Sequence, residues 1–118
     1  MRYMMFIKHP KDYDFSEVPP ALFEAMGGFI QEYAQKGMFI DGAGLQPLAK
    51  GTRVRLAGGK VTVTDGPFSE AKEVVGGYSL IEAPTHADAV ALATKFMELH
   101  RAHWPEFEGE SEVRPLQE

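Results

Sequence analysis

Cysteine is absent from the 118-residue chain. That excludes disulfides, thiolate metal sites and a cysteine nucleophile. Tryptophan occurs once, and the 12 Lys and Arg are outnumbered by 17 Asp and Glu, for a net charge of −5. Such a balance repels a phosphate backbone, so no nucleic-acid partner is expected. No apolar run approaches the ~20 residues needed to span a bilayer, so no membrane partner is expected either. The apolar opening of the chain stops at Pro10, too soon for the core of a secretory signal. The expected address is the cytoplasm. There is no glycine-rich loop ending in Gly-Lys-Ser/Thr and no Gly-x-Ser-x-Gly elbow. The phosphate-loop and serine-hydrolase templates are therefore set aside.

What is present suits a compact fold. Hydrophobic residues make up 44% and charged residues 25% of the chain, both ordinary for globular proteins. The length predicts one domain over residues 1–118, with no repeat and no linker. Charge is unevenly spread: residues 1–59 carry net +1 and residues 60–118 net −6. Glu106, Glu108, Glu110 and Glu112 alternate near the end. In a strand, that period places all four on one solvated face, which resists edge-to-edge aggregation.

Periodicity orders the elements. Residues 2–8 are apolar at both parities, with Tyr3, Met5 and Ile7 on one face and Met4 and Phe6 on the other, as in a central strand. A polar loop follows over residues 9–18. Pro19 and Pro20 suit a helix start, Leu22, Met26, Phe29, Ile30 and Tyr33 form one stripe, and Gly37 ends it. Gly27 and Gly28 inside that helix suggest a close approach of another backbone. Met38–Ile40 reads as a strand broken at Asp41. Thr52–Leu56 and Lys60–Thr64 form a hairpin about Gly58 and Gly59. Gly76–Ala83 is the next strand. Thr85 and Asp88 cap a second helix that Pro105 stops, and Ser111–Leu116 closes the order. Two helices over a mostly antiparallel sheet predict an α+β, ferredoxin-like βαβββαβ-type sandwich. So short a chain cannot cover the second face of its own sheet. A homodimer with the sheets face to face is expected.

Asp65 and His100 are the candidate catalytic residues. Asp65 has two readings: a carboxylate at a strand end serving as base or polar anchor, or the organiser of a Gly66-Pro67 turn that puts Phe68 in the core. Glu70 and Lys72 would then line a cleft rim. His100 falls in the apolar face of the second helix. It is expected to be buried and neutral, or else a titrating group at the base of a cavity. His103 and Trp104 adjoin it, and Tyr3, Phe68 and Tyr78 complete the candidate binding set. The four histidines show no spacing that forces convergence, so no metal and no cofactor are expected.

The segment Asp65-Gly-Pro-Phe-Ser-Glu-Ala-Lys-Glu73 followed by Gly76-Gly77-Tyr78 resembles the DGPF-type branch of the YCII-related family. Arg2-Tyr-Met-Met, Gly42-Ala-Gly-Leu-Gln-Pro47, Arg53-Val-Arg55 and Glu112-Val-Arg-Pro115 support the resemblance along the whole chain. It implies a dimeric α+β barrel of two ferredoxin-like units packed sheet to sheet. The YCII relatives' histidine–aspartate pair does not carry over. Met26 stands near the histidine position, and Trp104-Pro105 near the aspartate. Two functions follow from different classes. One is a small-molecule-binding protein or enzyme with acid–base chemistry in a pocket between sheet and helices. The alternative is a non-catalytic interaction module, the resemblance pointing to extracytoplasmic-function sigma factors as partners.

Overall fold

The structure is a computed structural model that describes residues 1–68 and 72–118. In chain order the elements are β1 (Arg2–His9), α1 (Pro20–Gln35), β2 (Phe39–Gly44), β3 (Thr52–Ala57), β4 (Lys60–Asp65), β5 (Val74–Glu82), α2 (His86–His103) and β6 (Glu110–Pro115). Four strands form one antiparallel sheet in the order β2-β5-β1-β6. With the β3–β4 hairpin inserted between its two halves, this is a ferredoxin-like α+β topology. The doubly apolar β1 is central, as its composition requires.

Strand parity divides the sheet. Tyr3 and Met5 of β1 and Ile81 of β5 are buried against Phe29 and Tyr33 of α1 and Ala89, Leu92, Ala93 and Phe96 of α2. The other face holds Met4 opposite Leu80 and Phe6 opposite Tyr78, all only half-buried. Among the described residues nothing closes over them. The second helix starts as its sequence dictates: the Thr85 side chain accepts from the Asp88 N–H at 3.1 Å. Its hydroxyl also donates to the Asp88 carboxylate at 2.8 Å.

Several expectations are corrected. Strand β2 does not break at Asp41 but runs to Gly44. Glycine there is a requirement of pairing, because a Cβ on Gly42 would lie 2.7 Å from the Tyr78 carbonyl oxygen. Gly27 and Gly28 have nothing within 4 Å of a built Cβ, so among the described residues no backbone outside their own helix approaches them, and of the expected close approach only a partner subunit's backbone stays open. Of the four alternating glutamates only Glu110 and Glu112 lie in β6. Glu112 is half-buried rather than solvated, because Lys8 of β1 reaches it. Phe68 is half-buried, not core. The Arg53 guanidinium stacks over its ring at 3.9 Å, and that contact replaces core packing as its anchor.

The hairpin stands apart from this core. Val54 pairs with Val63 and Leu56 with Val61 on one face, and these four are 61–72% exposed. Gly58 and Gly59 both take positive φ, 59° and 75°, the geometry of a two-residue turn that matches strand twist. At its base the Gly66 N–H donates to the Gly51 carbonyl at 2.9 Å. The Asp12 carboxylate accepts from the Leu48 N–H at 3.2 Å, tying the base to the loop after β1.

Candidate functional site

Strand β1 ends where β5 and β6 begin. Lys8 pairs with Val75 and Glu110, and His9 with Val74. A β-bulge at this point leaves Gly76 unpaired with β1. The three strand ends surround a cleft of about 280 Å³ lined by Lys8, His9, Lys72, Glu73, Glu108 and Glu110 among others. Bulges commonly re-aim side chains beside functional sites. Here the bulged residue must be glycine, because a Cβ on Gly76 would lie 2.2 Å from His9 Nε2.

His9 forms the inner wall and is only 8% exposed. Its Nδ1 is hydrogen-bonded to the Lys11 carbonyl. A carbonyl only accepts, so Nδ1 carries the proton and Nε2 keeps its lone pair in the neutral ring. Burial pushes the His9 pKa down, against the pull of the Lys11 carbonyl and the Asp12 charge. The ring packs edge-on to Tyr13 at 4.9 Å and to Phe107 at 6.0 Å. Tyr13 in turn meets Trp104 at 4.8 Å, and Phe107 meets His100 at 4.9 Å. An aromatic layer thus links the cleft to the core.

Lys8 forms the other wall, on the open face of the sheet. Its ammonium lies 2.6 Å from Glu112, 2.8 Å from Glu73 and 3.7 Å from Glu110. Hydrogen bonds to Glu112 and then Glu73 hold its pKa well above the ordinary lysine value. The same bond holds the Glu112 carboxyl low. The alternating carboxylates at this point already have their cation. Among the described residues no group of three or more His, Asp or Glu is placed to hold a metal ion.

The residues singled out from sequence do not converge. Lys72 lines the cleft. Glu70 lies outside the described residues. His100 is buried, donates from Nδ1 to the Phe96 carbonyl at 3.0 Å, and is depressed by burial and by the nearby His9. It sits behind the aromatic layer rather than at the cleft. Trp104 is a buried member of that layer. His103 is exposed at the end of α2. Tyr3 is 1% exposed in the core, its ring edge-on to His86, so it is no cleft residue. Tyr78 belongs to the open sheet face. Asp65 borders neither this cleft nor the groove described next. One carboxylate oxygen accepts the Thr52 hydroxyl across the hairpin at 3.0 Å, so a side-chain hydroxyl is what it engages at the hairpin base.

A second, more open groove of about 430 Å³ runs between α2 and β6, past Val90, Met97, Glu98 and Val113. Ser111 Oγ is buried there without a hydrogen-bond partner. It holds fewer convergent polar groups than the cleft at the sheet end.

Glu73, read from sequence as a possible residue of a pocket mouth, does line the cleft, whereas His9, Tyr13 and Phe107 escaped sequence reasoning as site residues. A signal existed for His9: it continues the odd parity of Tyr3, Met5 and Ile7 and so had to face the helices. The convergence of three strand ends, near residues 9, 74 and 110, left no local mark. The profile of the YCII-related domain matches residues 1–103. No curated protein matches the chain.

Proposed function

The chain belongs to the YCII-related domain family, and from that premise we propose that it binds a small polar molecule and acts on it by acid–base chemistry in the cleft at the sheet end. The observation that carries this reading is His9. Its Nδ1 is committed to the Lys11 carbonyl, which leaves Nε2 as a neutral proton acceptor in a cleft whose lining also holds Lys8 and Lys72. A base of this kind needs a fixed tautomer and a pKa at or below neutrality, and burial supplies the second. Glu73, Glu108 and Glu110 also line the cleft, the first and last already beside the Lys8 ammonium, and this carboxylate rim suits a ligand carrying hydroxyl, amine or amide donors. His100 backs the aromatic layer that orients His9. The Asp65–Phe68 segment supports the DGPF branch, and we assign Asp65 to building the hairpin base.

We also propose that a second copy covers the open sheet face, the apolar Met4, Phe6, Tyr78 and Leu80 being the supporting observation. Light scattering at micromolar concentration should give twice the chain mass, and a monomer would overturn it.

A thermal-shift screen of small polar compounds tests the cleft. A ligand present at about 100 times its dissociation constant adds ~2.7 kcal/mol to stability. The expected outcome is a hit that moves the His9 imidazole resonances and is lost in His9→Gln. Hits that leave His9 unmoved and shift the α2–β6 groove instead would sink the assignment.

A further inference from the structure

One chain by itself carries too much surface. Its accessible area is 7844 Å², whereas a compact monomer of 13.1 kDa exposes about 6,400 Å². Its radius of gyration is 15.7 Å, against about 13.5 Å for a compact domain of this length. The excess, on the order of 1,400 Å², exceeds the ~800 Å² per partner that a stable interface buries. Much of it lies in the β3–β4 hairpin, all twelve of whose strand residues are exposed. A lone two-stranded hairpin is marginal at best in water. This one presents Val54, Leu56, Val61 and Val63 side by side to solvent.

We propose that the hairpin is an intersubunit arm, its valine–leucine strip seated on a second copy of this chain, with the arms exchanged reciprocally about a two-fold axis. The inference rests on the dimer reading above and adds what the arm does in it. The chain itself supplies both halves of the fit. The apolar strip has a counterpart in the uncovered band of Met4, Phe6, Tyr78 and Leu80, and within one chain the two leave each other open. A contact made twice about a two-fold axis needs such self-complementarity.

The test uses the full chain and the variant Val54→Thr/Val63→Thr, which keeps β-branched shape and removes apolar contact. Sedimentation equilibrium should show the wild type as a dimer and the variant with a dissociation constant raised about tenfold or more. Hydrogen exchange of the wild type should show hairpin amides protected in the dimer and exposed on dilution to monomer, a readout that stands even where the variant fails to fold. A wild-type dimer whose hairpin amides exchange freely, with the variant equally tight, would overturn the arm and leave the sheet-covered dimer standing. A wild-type monomer would overturn both.

Discussion

The molecule builds two sheets from strands of similar length, and they differ in what holds them. In the four-stranded sheet, Tyr3, Met5 and Ile81 have helices over them and are almost wholly buried. In the β3–β4 hairpin, pairing and turn are equally regular, yet every strand residue is exposed. The alternating Thr52-Arg53-Val54-Arg55-Leu56 pattern and the Gly58-Gly59 turn are enough to specify a hairpin's register. They are not enough to stabilise it, because stability comes chiefly from apolar area removed from water. The lesson is that local order and burial are separable: among the described residues the hairpin has the first without the second.

The comparison breaks most sharply at paired truncations. Ile81→Ala should cost about 2–5 kcal/mol, since it opens a cavity under both helices. Val63→Ala in the hairpin should cost less than about 0.5 kcal/mol when measured on the monomer. Urea melts at nanomolar and high micromolar protein would separate the two. A Val63→Ala cost that stays below about 0.5 kcal/mol at both concentrations would mean that no partner buries the hairpin.

Gly76→Ala probes the seam where the buried sheet meets the cleft. The new methyl collides with His9 Nε2, and a cost of about 1–3 kcal/mol is expected, as for overpacking elsewhere. The His9 resonances should move, while those of His86 should not. A neutral substitution with an unmoved His9 would remove the steric case for the bulge.

Acidification should act on the buried region alone. Both His9 and His100 are depressed, chiefly by burial. Below their ordinary pKa of ~6.5 the unfolded chain takes up protons that the folded chain refuses. Unfolding free energy is therefore complete above that pH, declines as pH falls from ~6.5 toward the lower folded values, and levels off beneath them. The slope is bounded by ~1.4 kcal/mol per pH unit for each histidine. Chemical melts at pH 7.5 and pH 5 measure it, and His9→Gln should flatten the curve. The hairpin contains no histidine, so its exchange rates, corrected for intrinsic pH effects, should follow the dimer and not the pH.

The smallest effect separates open surface from interface on the helical side. Gly28→Ala should stabilise by about 0.5–1 kcal/mol, since nothing opposes the added methyl in an exposed helix. A loss of dimer affinity in this variant would place a partner backbone at α1.

How much of this was legible in the sequence depended on distance along the chain. The cap at Thr85, the stripe of α1 and the double-glycine turn are local, and each stands where periodicity puts it. Strand β2 was cut short because glycine reads as punctuation, whereas Gly42 is there to let β5 approach. Phe68 was assigned to the core on hydrophobicity alone, although an arginine face can hold a ring as well. For the site, His100 could be placed by its position on the helix wheel. The pairing of Lys8 with Glu73 and Glu112, and the seat of His9 over Gly76, arise only when three distant strand ends meet.

The ammonium of Lys8 has one more consequence, which concerns reactivity. An amine attacks a carbonyl only as the free base, and lysines that form Schiff bases are those whose protonated form is disfavoured. Glu112 and Glu73 do the opposite: they keep Lys8 protonated and each holds its ammonium at hydrogen-bond distance. Although Lys8 lines the cleft, covalent imine chemistry is closed to it. It can offer a ligand only charge and hydrogen bonds, and the lone pair available at that wall belongs to the imidazole of His9.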